Sequence, residues 1–324
     1  MTSTVSPPAP YRDVPALVLG ATGFIGRWVA RALSEAGARV TVVGRNQRAT
    51  EQMMRGLGVR AVVVTGDLAQ EGRLRDVIVQ AQPSIVFNMT GYGVDTTERN
   101  ADASQALNAD LPPALAEAMA ECVVGDWRGQ RVVHAGSALE YGTAGGDLAE
   151  GTTCTPTTLY GRTKLAGTLR LHEAARMLGV RATTARLFTV YGPGEHDGRL
   201  LPSLLAGSGD ADVIRLSAGM QQRDFTYVDD VVHGVLALGA LGGVDTGVVN
   251  MATGELTTVR RFVEIATRVA GIARERLAFG ALPTRAEEMN HAPVNVARLR
   301  TLTGWSPATS IEDGVRRTLT VLSW

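Results

Sequence analysis

Several things are scarce in this 324-residue chain, and each scarcity excludes a class of function. Aromatic residues make up only 5%, too few for a stacking surface that binds single-stranded nucleic acid. Net charge is absent: 32 basic residues balance 32 acidic ones, so there is no broad field to draw nucleic acid or anionic lipid. The two cysteines, Cys122 and Cys154, share no CxxC spacing and have no histidine partner, which argues against a zinc site or a disulfide framework. No apolar run reaches the ~18 residues of a membrane span. The opening MTSTVSPPAP has neither a basic nor an apolar signal region, and residues 1–13 read as a disordered tail of a cytoplasmic protein. Lysine is the scarcest: 31 of the 32 basic residues are arginine, and the one lysine is Lys164.

What is present is a repeated alternation of short apolar, β-branched runs with helical patterns. Ala16–Leu19, Arg39–Val43, Ala61–Thr65, Ser84–Met89, Arg131–Ala135 and Arg181–Leu187 read as strands. Helices fall between them, two of them long: 104–121, interrupted by Pro112–Pro113, and 158–178. Continuous apolar strands alternating with helices predict an α/β fold, a Rossmann-type doubly wound parallel sheet. The pattern loosens after about residue 190. A larger domain over 14–190 and a smaller C-terminal α/β domain over 191–324 follow, with some later segments returning to the first sheet; the motifs below give the first its expected role as the dinucleotide-binding domain and the second as the substrate-binding domain.

Gly20-Ala21-Thr22-Gly23-Phe24-Ile25-Gly26 stands between the first strand and the first helix. In that setting the glycines let backbone approach a pyrophosphate, and the helix N-terminus offers donors to it. The second strand ends Val43-Gly44-Arg45, with Arg48 close behind and no acid to repel a 2′-phosphate. An Arg fork there favours NADP(H), with NAD(H) possible. Asp67 and Leu68, just past the third strand, are placed at the adenine.

Tyr160 and Lys164 stand four residues apart on one helical face. A phenol with a pKa near ~10 is a poor acid or base at neutral pH, and a close cation stabilises its ionised form. One close charge in a partly dry pocket, together with a nicotinamide cation, is expected to lower the Tyr160 pKa, and Lys164 to hold ribose hydroxyls as well.

The glycine loop and this YxxxK pair resemble the extended short-chain dehydrogenases/reductases, the NAD(P)-dependent sugar-nucleotide epimerase, dehydratase and ketoreductase group. The resemblance runs over about residues 15–320. It implies that Ser137, in HAGSALEYG, is the catalytic partner of Tyr160 and Lys164. It further implies that Asn108 supports the cofactor site and that Arg223, in RDFTYVDD, contacts a nucleotide diphosphate. Gly304-Trp305-Ser306-Pro307 is similar to the group's GWxP signature. Arg285 is a second diphosphate candidate, and Ala138 and Thr189 are placed beside the sugar. Thr189 stands where the group usually has Asn.

Ala138 and Leu139 replace the Asp-Glu pair of the 4,6-dehydratases and cannot transfer protons, which rejects dehydration. Leu139 also stands where the C3/C5 epimerase-reductases have Cys. The expectation is NADPH-dependent reduction of a C4 keto group of a nucleotide-diphosphate 4-keto-6-deoxy sugar, with Tyr160 as general acid. The alternative is an NAD-dependent nucleotide-sugar 4-epimerase; a non-catalytic dinucleotide sensor ranks behind both. The two long helices form a four-helix dimer interface in the resembling group, so a homodimer is expected.

Overall fold

The computed structural model describes residues 9–93, 98, 100–123, 125–206, 213–244, 246–283 and 289–322. The first half alternates strand and helix: β1 (Pro15–Leu19), α1 (Phe24–Glu35), β2 (Arg39–Gly44), α2 (Gln47–Gly56), β3 (Ala61–Thr65), α3 (Arg73–Ala81) and β4 (Ile85–Asn88). Next come α4 (Ala101–Ser104), a π-turn over Gln105–Asp110, α5 (Leu111–Ala120), β5 (Val132–Ser137), α6 (Leu159–Leu178) and β6 (Ala182–Leu187). The second half holds β7 (Thr189–Tyr191), α7 (Leu200–Ala206), β8 (Ile214–Leu216), β9 (Gln222–Arg223), β10 (Phe225–Tyr227), α8 (Val228–Ala240) and β11 (Gly247–Met251). It closes with β12 (Thr257–Thr258), α9 (Val259–Val269), β13 (Leu277–Phe279), α10 (Ala297–Thr303) and α11 (Ile311–Leu322).

Seven parallel strands form one sheet in the order β11-β6-β5-β4-β1-β2-β3. The order reverses at β1, where Ala16 pairs with Val40 of β2 on one side and Ile85 of β4 on the other. That reversal opens a crevice at the carboxyl ends of β1 and β4, the place where such sheets bind ligands. Both faces are covered, as the apolar strands require. Ala16 and Val18 pack with α1 and α8 on one face. Leu17 and Leu19, with opposite side-chain direction, pack with α3, α5 and α6 on the other. Residues 228–251 thus lie back on the large sheet, as α8 and its edge strand β11. Small two-stranded sheets (β7 with β10, β8 with β13, β9 with β12) make up much of the remainder, with α7, α9 and α11 packed about them.

One local feature departs from the sequence reading, and at Pro112–Pro113, which fit either a kink or a helix restart, the chain restarts a helix. Residues 9–13 are folded and not part of a tail. Tyr11 is fully buried, its hydroxyl donates to the Leu236 carbonyl at 2.6 Å, and its ring lies against Phe87 and Trp127. The region 104–121 has no simple kink. Pro112 and Pro113 have no N–H to return to the carbonyls of residues 108 and 109, and the helix widens into the π-turn just before them. Arg170 of α6 supplies the missing donor, reaching the Ala109 carbonyl at 3.1 Å. Gly167 makes the close approach possible, since a Cβ there would collide with the Asn108 carbonyl. Thr158 caps α6 by accepting from the Gly161 N–H at 3.0 Å, and Gly179 in the left-handed region ends it. In the GWxP segment, Gly304 ends α10 and the Trp305 ring stacks on His233 of α8.

Candidate active site

The β1–α1 turn is built to admit an anion. Gly20 has φ +74°, and a Cβ there would stand 2.7 Å from the Met89 carbonyl oxygen of the neighbouring β4 end. A Cβ on Gly26 would collide with the Gly20 carbonyl. Gly23 is the N-cap of α1, and no side chain caps the N-terminus there. The positive end of the helix dipole therefore opens onto the crevice, flanked by Thr22, Phe24 and Ile25. This cradle fits a pyrophosphate, and a dinucleotide lying across the switch point fits the sheet order.

Around it stand the other cofactor candidates. Arg45 and Arg48 are both exposed just beyond β2, at the start of α2. Asp67 accepts from the Ala69 N–H at 3.1 Å, an Asx turn that also leaves its second oxygen available, and Leu68 packs on the sheet. Asn108 is a correction. Its Nδ2 donates to the Tyr92 carbonyl at 2.7 Å and to Thr163 Oγ1 at 3.1 Å, while Oδ1 accepts from the Tyr92 N–H at 3.0 Å. Both amide hydrogens are in use inside the protein, so Asn108 braces the β4 loop against α6 and is not placed as a cofactor ligand.

That loop forms the floor under the Tyr–Lys pair. A Cβ on Gly91 would lie 3.6 Å from the Tyr160 hydroxyl and 4.0 Å from Lys164 Nζ. The buried Lys164 donates to the Thr90 carbonyl at 3.2 Å. Ser137, the last residue of β5, accepts from the Leu139 N–H at 3.2 Å and stands near enough to the Tyr160 phenol to pull its pKa down. Ser137, Tyr160 and Lys164 are thus brought together where the carboxyl ends of β4 and β5 meet the first turns of α6.

Glu140 was not among the sequence-derived candidates. It is fully buried on the turn after β5. Oε1 accepts from the Ser137 N–H at 2.7 Å and from Thr168 Oγ1 on α6 at 3.2 Å. Oε2 accepts from Nε and Nη2 of Arg186 on β6 at 3.0 and 2.9 Å. Arg186 also lies over the Tyr141 ring, 4.3 Å from its centre. One buried ion pair therefore ties the serine strand, the tyrosine helix and the next strand together. The sequence signal was a charged residue in an otherwise apolar turn, with no indication of its direction.

The electrostatics show what the chain's own groups do to the pair. Burial pushes the Tyr160 phenol above its ordinary value and the Glu140 charge adds to this, while the Ser137 hydroxyl and the Arg199 charge oppose it. Burial lowers Lys164 to about 8, with Glu140 working against that fall. The pair alone does not lower the tyrosine, because the phenol is desolvated beside a carboxylate. His134 on β5 is held neutral: burial drives its pKa well down, and the Lys164 charge adds to that. Its Nδ1 faces Asn88 Nδ2 at 3.1 Å inside the sheet.

A cleft of about 280 Å³ on the C-terminal side is lined by Thr189, Glu195, Arg199 and Arg223 among others. Thr189 donates its N–H to the Asp224 carbonyl at 3.0 Å, which brings Arg223 and Thr189 to one wall. Asp224 holds the turn opposite, accepting from the Thr253 and Gly254 N–H groups at 2.9 and 2.8 Å. Ala138 is buried beneath Ser137. Arg285 lies outside the described residues. A larger depression of about 570 Å³, lined by Arg261, Arg268 and Glu312 among others, holds none of the candidates. Among the described residues no cluster of His, Cys, Asp and Glu forms a metal site, and no helix is long and apolar enough to cross a membrane.

A seven-stranded parallel sheet, a glycine turn at its switch point and a Ser–Tyr–Lys cluster at its carboxyl edge define an extended short-chain dehydrogenase/reductase. The chain belongs to the NAD dependent epimerase/dehydratase family, whose model matches residues 16–252. It is 30% identical over 319 residues to the dTDP-6-deoxy-L-talose 4-dehydrogenase (NAD(P)(+)) of Kitasatospora kifunensis, covering 94% of this chain and 95% of that one. It is 26% identical to a probable UDP-glucuronate 4-epimerase of Rhizobium meliloti (strain 1021), covering 93% and 94%. Among solved structures it is similar to MoeE5 in complex with UDP-glucose and NAD, with a TM-score of 0.80, 26% identity and coverage of 95% and 98%.

Proposed function

We propose that this protein performs hydride chemistry at C4 of a nucleotide-diphosphate sugar, in the manner of a 4-epimerase that retains NAD. The observation that carries this reading is the meeting of Ser137, Tyr160 and Lys164 opposite the Gly20–Gly26 cradle, with only Ala138 and Leu139 following the serine. Neither of those side chains removes a proton, so nothing there drives loss of water or inversion at a second carbon. A bound nicotinamide dinucleotide supplies the hydride acceptor and, when reduced, the donor.

The chain's own residues do the rest. Tyr160 takes the proton from the C4 hydroxyl and returns it after the sugar has turned. Ser137 hydrogen-bonds the same oxygen and steadies its developing charge. Lys164 holds the ribose hydroxyls and its positive charge favours the ionised phenol. Burial and Glu140 raise the phenol while Ser137 lowers it, and a bound oxidised nicotinamide would add a further positive charge beside it. Gly20, Thr22, Gly23, Phe24, Ile25 and Gly26 hold the pyrophosphate, Asp67 and Leu68 the adenine end, and Arg45 and Arg48 the adenosine ribose. Arg223 and Arg285 hold the substrate diphosphate, with Thr189 and Ala138 beside the sugar.

A second reading has its own support. The Kitasatospora relative is a 4-dehydrogenase of a deoxysugar using NAD(P)+, and Arg45 offers a charge to a 2′-phosphate. In that reading Tyr160 donates a proton to a C4 alkoxide formed from the keto sugar, and NADP(H) exchanges at each turnover. One experiment separates the two. The purified protein is denatured and released dinucleotide identified, then incubated with UDP- and dTDP-hexoses without added cofactor. Stoichiometric NAD with C4 inversion is the expected result. Empty protein that consumes NADPH against a 4-keto sugar would establish the ketoreductase instead.

We also propose a homodimer through α5 and α6, supported by Leu169 and Met177, exposed on α6. Light scattering at 34.2 kDa alone would refute it.

A further inference from the structure

The cleft beside the catalytic cluster contains a carboxylate that the proposed chemistry does not use. Glu195 follows the Gly192-Pro193-Gly194 turn after β7, and its side chain is only 6% exposed. Oε1 accepts from Arg199 Nε at 3.4 Å, a long contact. Oε2 is buried and has no hydrogen-bond partner among the described residues. A buried acceptor left unsatisfied is costly, and its retention calls for a ligand that satisfies it. Burial raises this carboxyl to about 7, opposed by Arg199 and the Gly192 backbone, so it is about half ionised at pH 7 and almost wholly ionised at pH 9.

Its position says which part of a ligand it meets. Glu195, Arg199, Thr189 and Arg223 line the same cleft. The Arg199 charge is felt at the Tyr160 phenol, so this stretch of wall lies near the reacting carbon. A carboxylate accepts hydrogen bonds from hydroxyls and repels other carboxylates. The Arg199 guanidinium, its Nε on Glu195 Oε1, offsets part of that repulsion, and the free Oε2 is the atom a ligand meets without a facing donor.

We propose that Glu195 is a specificity-determining residue whose free oxygen accepts a hydrogen bond from a sugar hydroxyl and which excludes hexuronates, so that the substrates are nucleotide-linked neutral hexoses or deoxyhexoses. This inference rests on the nucleotide-sugar reading above. It separates the chain's substrate class from that of the uronate-named relatives of similar fold.

The test is calorimetric binding to the protein with its dinucleotide. UDP and dTDP alone are titrated first, and the nucleotide that binds decides which glucose and glucuronic acid pair is compared. At pH 9, where Glu195 is ionised, wild type should bind the glucose form on the order of tenfold to a hundredfold more tightly than the uronate, and the gap should shrink to about twofold near pH 7, where the carboxyl takes up a proton at little cost. Glu195→Gln should bring the pair to within about threefold by relieving the repulsion, with affinity for the bare nucleotide unchanged. At pH 9, equal affinity in wild type, a preference for the uronate, or a gap that survives Glu195→Gln would overturn the proposal. Failure of both bare nucleotides to bind wild type would overturn the nucleotide-sugar reading itself, and this inference with it.

Discussion

Replacing Glu140 by Gln should destabilise the apoprotein far more than a loss of one charge on the surface would. The Arg186 side chain is 3% exposed and its partner is fully buried. Gln at 140 keeps an acceptor for Ser137 N–H and Thr168 but leaves the guanidinium without a counter-charge. Breaking a buried pair in this way costs about 3–5 kcal/mol. Arg186→Met alone strands the carboxylate and should cost a similar amount. The double variant Glu140→Gln/Arg186→Met removes both charges and should be only modestly less stable than wild type. Arg186 Nη1 lacks a hydrogen-bond partner among the described residues, so the wild-type pair is itself incompletely satisfied. With singles costing about 3–5 kcal/mol each and a double costing about 1–2, the interaction energy from urea unfolding of the four proteins should be at least about 4 kcal/mol. A second readout follows from the phenol. Glu140 raises Tyr160, so its neutralisation should move the acidic limb of the pH–rate profile, where Tyr160 must ionise to act as base, to lower pH in Glu140→Gln. A single-variant cost under about 1 kcal/mol, or strictly additive costs, would refute the assignment of a tightly coupled buried pair.

Tyr160→Phe should lower kcat by about 10²–10⁴-fold while leaving nucleotide-sugar affinity nearly unchanged, checked by turnover and calorimetry together. Lys164→Met should abolish turnover yet stabilise the apoprotein at pH 7. The gap between about 8 in the fold and 10.5 in the open chain corresponds to about 3 kcal/mol. Because the unfolded chain binds the extra proton, wild-type stability should gain from this group as pH rises from about 8 to 10.5, and the variant should lack that gain. A denaturation series across that range reads it directly. Tyr11→Phe should cost about 1–2 kcal/mol through the Leu236 carbonyl left without its donor, measurable by urea unfolding.

The features legible in the sequence are those that depend on near neighbours along the chain. The period of apolar runs dictated a parallel sheet, because a strand buried on both faces has no polar side to alternate. The glycine turn was readable because φ +74° at Gly20 and the close approach of Met89 demand glycine itself. Tyr160 and Lys164 were readable as a pair because one helical turn places them on one face. The carboxylate of Glu140 behind them was not, and it adds to desolvation in raising the phenol. Tertiary structure alone decided that Glu140 faces Arg186, 46 residues away, and not the pocket. It also decided that Asn108 braces Tyr92 and Thr163, that Tyr11 belongs to the core, and that one oxygen of Glu195 is left without a partner. Each of these turns on through-space distance and on access of water, which govern the strength of charges and hydrogen bonds and leave no periodic trace in the order of residues.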